Sequence, residues 1–156
     1  MKHALLFVCY ENICRSPMAE GIFSRLVAEG MSHDLFTVAS AGTVCSQKGE
    51  PPDSRAVSTA LAHGIDISAQ RARCIHDMEI DRFTKIFVMD VDNYHDVIRY
   101  GNSMSESLPV TMVADYLADS AVDTIEDPYY GTTDDFLSVY YLLSEALGNI
   151  YKELSP

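Results

Sequence analysis

Tryptophan is absent from the 156 residues, and positive charge is scarce: 11 Lys and Arg stand against 23 Asp and Glu, a net charge of −12. Nucleic acids and anionic lipid surfaces require a basic face, so this deficit excludes general binding to either. It leaves room for a small anion held by a few local donors. No apolar run approaches the roughly 20 residues of a membrane span. Met1 to Val8 is too short for a secretory leader, and polar residues follow at once. Only four cysteines are present, without the spacing of a disulfide framework, which predicts a reduced, cytoplasmic protein. Repeats and low-complexity tracts are lacking too. A chain of this length buries roughly two thirds of its unfolded surface and needs no disulfide or metal staple. It reads as one domain over 1–156.

What is present alternates between strand and helix signals. His3 to Val8 is a continuous apolar run, suited to a strand buried on both faces. Ser16 and Pro17 look like an N-cap and first helical residue, and Ile22, Phe23, Leu26 and Val27 form one stripe that Gly30 ends. Leu35 to Ser40 predicts a second strand, and Gly42 to Asp53 a loop. A helix is expected from about Ser54 to His63, closed by Gly64. Ile86 to Met89 predicts a third strand, Val91 to Tyr100 a helix, and Leu108 to Met112 a fourth strand. Phe136, Val139, Tyr140, Leu143, Leu147, Ile150 and Leu154 recur at helical steps, starting from a cap at Thr132 or Thr133. This order predicts an α/β fold: a four-stranded parallel twisted sheet with helices on both faces, its site beyond the carboxyl ends of the strands.

Directly after the first strand comes Cys9-Tyr10-Glu11-Asn12-Ile13-Cys14-Arg15-Ser16-Pro17. A short loop between a strand end and a helix start turns several backbone N–H groups toward one point, and the helix dipole adds positive potential. A thiol in such a place ionises readily. Arg15 offers a planar fork that grips a phosphate, and Ser16 a hydroxyl for the sulfur. Residues Tyr10 to Ser16 are therefore the candidate phosphate-binding loop, with Cys9 facing the phosphate. Release of an aryl ester needs a proton for the departing oxygen. Asp127, in Glu126-Asp127-Pro128-Tyr129-Tyr130-Gly131, is the candidate donor, and Tyr129 and Tyr130 the walls of a slot for a flat ring.

Taken together, these segments resemble the low-molecular-weight protein tyrosine phosphatases over nearly the whole chain. The anchors are FVCYENICRSPMAE, SAGT at Ser40 to Thr43, PPDSRA at Pro51 to Ala56, GIDIS at Gly64 to Ser68, RAR at Arg71 to Arg73, MDVDN at Met89 to Asn93, and DPYYG at Asp127 to Gly131. The resemblance implies a two-step, metal-free and cofactor-free hydrolysis of phosphotyrosine. Cys9 would form a phosphocysteine, Arg15 would hold the phosphoryl oxygens, and Asp127 would act as acid and then as base. It also implies that Asn12 and Ser40 hold the loop in shape, that Asp90 is a structural acid, and that Cys14 can form a reversible disulfide with Cys9. The implied partner is a phosphotyrosine protein, in bacterial relatives often a tyrosine kinase.

Several residues depart from the family pattern. Glu11 stands where Gly is usual, and its carboxylate is expected to project to solvent at a modest loss of anion affinity. Cys45-Ser46-Gln47-Lys48 replaces an aromatic loop wall, and Gln70 replaces a His. Cys45 and Cys74 read as small buried hydrophobes. The five His show no ligand spacing, so no metal site is expected. Asp115, Asp119 and Asp123 read as a solvated face, and the Met residues as core filler.

Two other readings compete. A thioredoxin-coupled arsenate reductase on the same fold needs two further redox cysteines, and Cys74 stands alone in mid-chain. A phosphate-binding module without catalysis is favoured only by Glu11 and the missing aromatic wall.

Overall fold

The computed structural model describes residues 2–104 and 107–156. Four parallel strands, β1 (His3–Cys9), β2 (Phe36–Gly42), β3 (Lys85–Val88) and β4 (Val110–Met112), lie in the order β2-β1-β3-β4. Four helices connect or follow them: α1 (Arg15–Glu29), α2 (Ser54–Leu61), α3 (Val91–Ser103) and α4 (Thr133–Leu154). The parallel sheet expected from the alternating pattern is therefore present.

Strand β1 occupies the middle because its residues are apolar on both faces. Leu5, Phe7 and Cys9 join one core with Phe23 of α1, Phe87 of β3, and Phe136, Leu143 and Leu147 of α4. Leu6 and Val8 join the other with Ile86, Val88 and Val97 of α3. Phe7 stacks on Phe87 at 5.5 Å between ring centres and lies 5.8 Å from Phe23. Each such buried side chain contributes about 1.5–3 kcal/mol relative to exposure. Consecutive connections leave β1 toward β2 on one side, while β3 lies on the other. The chain therefore opens a crevice at the carboxyl end of β1.

Local chemistry explains most element boundaries. At the start of α4 the Asp135 carboxylate accepts the Thr132 N–H at 2.7 Å, and Asp134 and Asp135 sit in the first turn. Helix α2 is capped by Asp53, whose carboxylate accepts the Arg55 N–H at 2.8 Å. Gly64 follows at φ +80°, the left-handed region where a Cβ is disfavoured. Helix α1 differs from expectation: Cys14, not Ser16, is the cap position, and the helix starts at Arg15. The Ser16 hydroxyl is taken by Cys9 and Asn12 and so does not cap. β1 and β2 run on to Cys9 and Gly42, because those two residues continue the parallel ladder. β4 starts at Val110 rather than Leu108; Pro109, which has no N–H, still accepts the Ile86 N–H at 2.9 Å. Helix α3 continues past Tyr100 to Ser103.

Asp115, Asp119 and Asp123 are exposed, as expected. Met18 and Met89 are core residues, but Met31 is 89% exposed and fills nothing. No described helix is long and apolar enough to cross a membrane. Phe7→Ala is expected to lower the unfolding free energy by about 3–5 kcal/mol, read as a lower urea midpoint, because it empties the contact between α1 and β3.

Candidate active site

The segment from Cys9 to Ser16 turns from β1 into α1 around Asn12, whose φ of +61° is the left-handed region that Asn tolerates better than most residues. Its side chain explains how that conformation is held. Nδ2 donates to Ser16 Oγ at 2.7 Å and to Ser40 Oγ at 2.9 Å, and Oδ1 accepts the Arg73 N–H at 2.9 Å. Asn12 thus links the loop to the start of α1, to Ser40 of β2 and to the Arg73 backbone. Gly42 of β2 lets the loop come close: a Cβ there would meet the Glu11 carbonyl carbon at 2.8 Å and the Tyr10 oxygen at 2.9 Å. The loop's own carbonyls are bound on its outside. Thr43 donates to the Cys9 oxygen at 3.0 Å, Val44 to the Tyr10 oxygen at 2.9 Å, and Asp53 to the Ile13 oxygen at 2.8 Å.

Cys9 is buried, with its Sγ 2.9 Å from Ser16 Oγ. Arg15 is 2% exposed, which for a guanidinium demands partners. Its NH1 donates to Asp90 Oδ2 at 2.6 Å and to the Ile125 carbonyl at 2.9 Å, and NH2 lies 3.6 Å from Asp127 Oδ2. Burial works against its charge, but Cys9, Asp90 and Asp127 outweigh that and hold Arg15 protonated above its ordinary value. Asp90 also caps α3 through the Asn93 N–H at 2.8 Å, so one carboxylate anchors both helix and guanidinium. Burial, reinforced by the charges of Cys9, Asp53 and Asp127, pushes the Cys14 thiol up. Cys14 therefore stays neutral and adds no negative charge to the loop.

A cleft of about 220 Å³ opens over this loop. Cys9, Ile13 and Arg15 form its floor and Asp127, Tyr129 and Gln47 stand in its lining, with Tyr10, Glu11, Cys14 and Tyr130. The residues singled out at both ends of the chain therefore meet. Tyr129 is 40% exposed and Tyr130 97% exposed, their rings edge to face at 4.9 Å. The Asp127 carboxylate accepts the Tyr129 N–H at 3.1 Å.

Some contributors were not legible in the motifs. Arg55 donates to the Tyr129 carbonyl at 2.9 Å and to the Gly131 carbonyl at 3.3 Å, tying the Asp127 segment to α2. Its side-chain hydrogen bonds hold the Asp53 carboxyl below the usual 3.8. A depressed carboxyl supports the fold above its unfolded pKa, and that support is lost as acid protonates it. Arg55 lies in the quoted PPDSRA segment, which was its only sequence signal. The Ile125 carbonyl carried no signal at all, and Gln47 only its place in the stretch that replaces the aromatic wall.

A sequence model of the family described as low molecular weight phosphotyrosine protein phosphatase matches residues 4–156. The chain belongs to that family. It is 38% identical over 138 residues to the low molecular weight phosphotyrosine protein phosphatase of Sus scrofa, covering 88% of this chain and 86% of that one. Among solved structures, a protein tyrosine phosphatase from Entamoeba histolytica with Hepes in its active site superposes with a TM-score of 0.87. It is 28% identical, over 98% of this chain and 97% of that one. The Drosophila arginine phosphatase reaches a TM-score of 0.91 at 28% identity, over 100% and 99% of the two chains.

The departures from the usual phosphatase pattern acquire local partners. The Glu11 carboxylate is half-exposed and accepts the Ser46 Oγ–H at 2.6 Å, so it braces two loops at the cleft rim instead of projecting freely. Gln70 Nε2 donates to the Pro17 carbonyl at 3.0 Å and so supports the first turn of α1. The reading of Cys45 and Cys74 as buried hydrophobes is corrected. Cys45 is exposed and bonded to the buried Cys74, and only Cys9 and Cys14 are free thiols. The histidines lack ligand spacing along the sequence, but the fold brings one of them beside this pair. His76 places a ring nitrogen within 4.8 Å of both sulfurs, a grouping concealed by the sequence separation of 29 between the two cysteines.

Asn12→Ala is expected to lower both stability and kcat/KM, the latter by about tenfold or more, because the loop loses its brace and gains left-handed strain. Asn12→Gly relieves the strain but not the lost hydrogen bonds. Urea unfolding of the two variants should differ while their activities remain similarly low.

Proposed function

We propose that this chain hydrolyses phosphotyrosine in proteins through a phosphocysteine on Cys9, with residues 1–156 acting as one phosphatase domain. The observation that carries this is the meeting of Cys9, Arg15 and Asp127 on one cleft floored by the loop and walled by Tyr129. Arg15 Nε is buried and without a partner among the described residues, a donor that a phosphoryl oxygen would satisfy. The loop carbonyls are bound outside, which leaves its amides for the remaining oxygens.

In the first step the Cys9 thiolate attacks phosphorus, the bond to the phenolic oxygen breaks, and Asp127 delivers its proton to that oxygen. In the second, water attacks the phosphocysteine, Asp127 takes the water proton, and the sulfur leaves as thiolate with inorganic phosphate released. The Ser16 hydroxyl, 2.9 Å from the sulfur, steadies the departing thiolate. Arg15 and the amides supply the positive charge that the phosphoryl group needs, so the scheme uses neither metal nor cofactor. Exposed Tyr129 favours a flat leaving group, and Arg55 keeps that wall in place. Cys14, buried in the same loop, is positioned to trap an oxidised Cys9 as a disulfide.

The site of action is the cytoplasm, and the substrate a phosphotyrosine-bearing protein, a bacterial tyrosine kinase among the candidates. The arsenate-reductase reading gains a second cysteine from the Cys45–Cys74 pair. However, Gly42 of β2 lies between Cys9 and Cys74 in the ladder and separates their chains. Sulfur-to-sulfur transfer needs direct contact, so the pair does not continue a relay from Cys9.

Side-by-side assays with phosphotyrosine, phosphoserine, phosphoarginine and arsenate are expected to show turnover of phosphotyrosine, lost in Cys9→Ser. Thiol consumption driven by arsenate without phosphatase activity would overturn the reading. Asp127→Ala is expected to reduce kcat about 10²-fold or more on phenyl phosphate, and much less on p-nitrophenyl phosphate, whose leaving group needs little protonation. Equal losses on both esters would remove Asp127 from the role of acid.

A further inference from the structure

We propose that Cys45 and Cys74 form a second thiol–disulfide exchange site, separate from Cys9 and Cys14, that accepts low-molecular-weight thiols and tunes substrate affinity at the cleft. The effect on affinity rests on the phosphatase reading; the exchange site itself does not. The two Cα atoms are 5.1 Å apart, a separation at which a disulfide closes without backbone movement. Cys45 is exposed, so its sulfur is open to attack, whereas Cys74 is fully buried and leaves from the protein side. His76 holds a ring nitrogen within 4.8 Å of both sulfurs and can exchange a proton with the thiolate that departs. With the sulfurs bonded to each other, the same three residues offer no pair of separate thiolates for a metal. In a reducing compartment a disulfide with an exposed sulfur is cycled, not permanent.

The bond joins the two segments that brace the phosphate-binding loop. On the Cys45 side, Val44 donates to the Tyr10 carbonyl at 2.9 Å, Ser46 donates to Glu11 at 2.6 Å, and Gln47 lines the cleft. On the Cys74 side, the Arg73 N–H donates to Asn12 Oδ1 at 2.9 Å. Other ties between these segments are Lys48 to Asp77 at 2.6 Å and three backbone bonds of 2.8 Å that flank the Ser46–Gln47 stretch: the Gly42 N–H to the Arg73 carbonyl, the Gly49 N–H to the Ala72 carbonyl and the Ala72 N–H to the Glu50 carbonyl. The first is an exposed ion pair of small worth. Opening the disulfide therefore loosens the Ser46–Gln47 wall without touching Cys9, Arg15 or Asp127.

The exchange balances as follows. A thiolate RS⁻ attacks the Cys45 sulfur, the Cys45–Cys74 bond breaks, and the Cys74 thiolate leaves and takes a proton. A second RS⁻ attacks the R sulfur of the mixed disulfide, releasing RSSR and the Cys45 thiolate. Two thiols are oxidised and one protein disulfide is reduced; RSSR drives the reverse.

The test uses the full chain and its Cys9→Ser variant in buffers of reduced or oxidised glutathione, with acid quench, alkylation and peptide mass mapping. The expected result is a Cys45–Cys74 linked peptide in oxidised buffer that disappears reversibly in reduced buffer, in both proteins. Free, alkylated Cys45 and Cys74 in oxidised buffer, or linkage of either to Cys9 or Cys14, overturns the proposal. For the coupling, the parent is oxidised with inorganic phosphate shielding Cys9, desalted, and compared with Cys45→Ala on p-nitrophenyl phosphate. Cys45→Ala and the reduced parent are expected to share a KM roughly threefold above the oxidised parent at nearly equal kcat, the size of one lost surface hydrogen bond. Equal KM values overturn the coupling. If the parent turns over no aryl phosphate, the phosphatase reading fails instead, and the Kd for inorganic phosphate in the two redox states decides the coupling.

Discussion

Arg15 is a buried cation, and much of the site is arranged to keep it satisfied. At 2% exposure its guanidinium has lost water and must find anions and carbonyls within the protein. Asp90 comes from the end of β3, the Ile125 carbonyl and Asp127 from the segment before α4, and Cys9 from the end of β1. Three chain segments far apart in sequence thus converge because one guanidinium requires them. Removing a partner from such a charge leaves it unpaired in low dielectric, which is far more damaging than the loss of an exposed ion pair.

Around this charge the loop from Cys9 to Ser16 is built by polar contacts that point outward. Its carbonyls bind Thr43, Val44 and Asp53, and Asn12 spans Ser16, Ser40 and Arg73. Gly42 permits the approach of β2 that makes these contacts short. The interior of the loop is left with a sulfur, a hydroxyl and N–H donors, a set suited to an oxyanion with several equatorial oxygens. The strong net negative charge of the chain does not oppose this. Exposed charges beyond a Debye length are screened, while Arg15 acts at contact distance.

The walls are less determined than the floor. Tyr129, Gln47 and Glu11 reach the cleft from separate loops, and two of them are held by a neighbour outside the reacting groups: Arg55 for the Tyr129 segment, Ser46 for Glu11. A floor set by buried partners and walls set by exposed ones allow substrate affinity to vary while the chemistry stays unchanged. That division also separates the two cysteine pairs: Cys9 and Cys14 belong to the floor, Cys45 and Cys74 to a wall.

Read alone, the chain determined its strand and helix order, the parallel sheet, and the loop of Cys9, Arg15 and Ser16, because these depend on apolar periodicity and on residues within one turn of each other. The start of α1 marks the limit of such local patterns: Ser16 looks like a cap, but its hydroxyl is claimed by Cys9 and Asn12. Arg55 on the Tyr129 segment, the Ile125 carbonyl on Arg15, and the bond between Cys45 and Cys74 belong to the tertiary structure. Each joins residues at least 29 positions apart, where no local pattern carries the signal and only the packed sheet and its crossovers bring the atoms together.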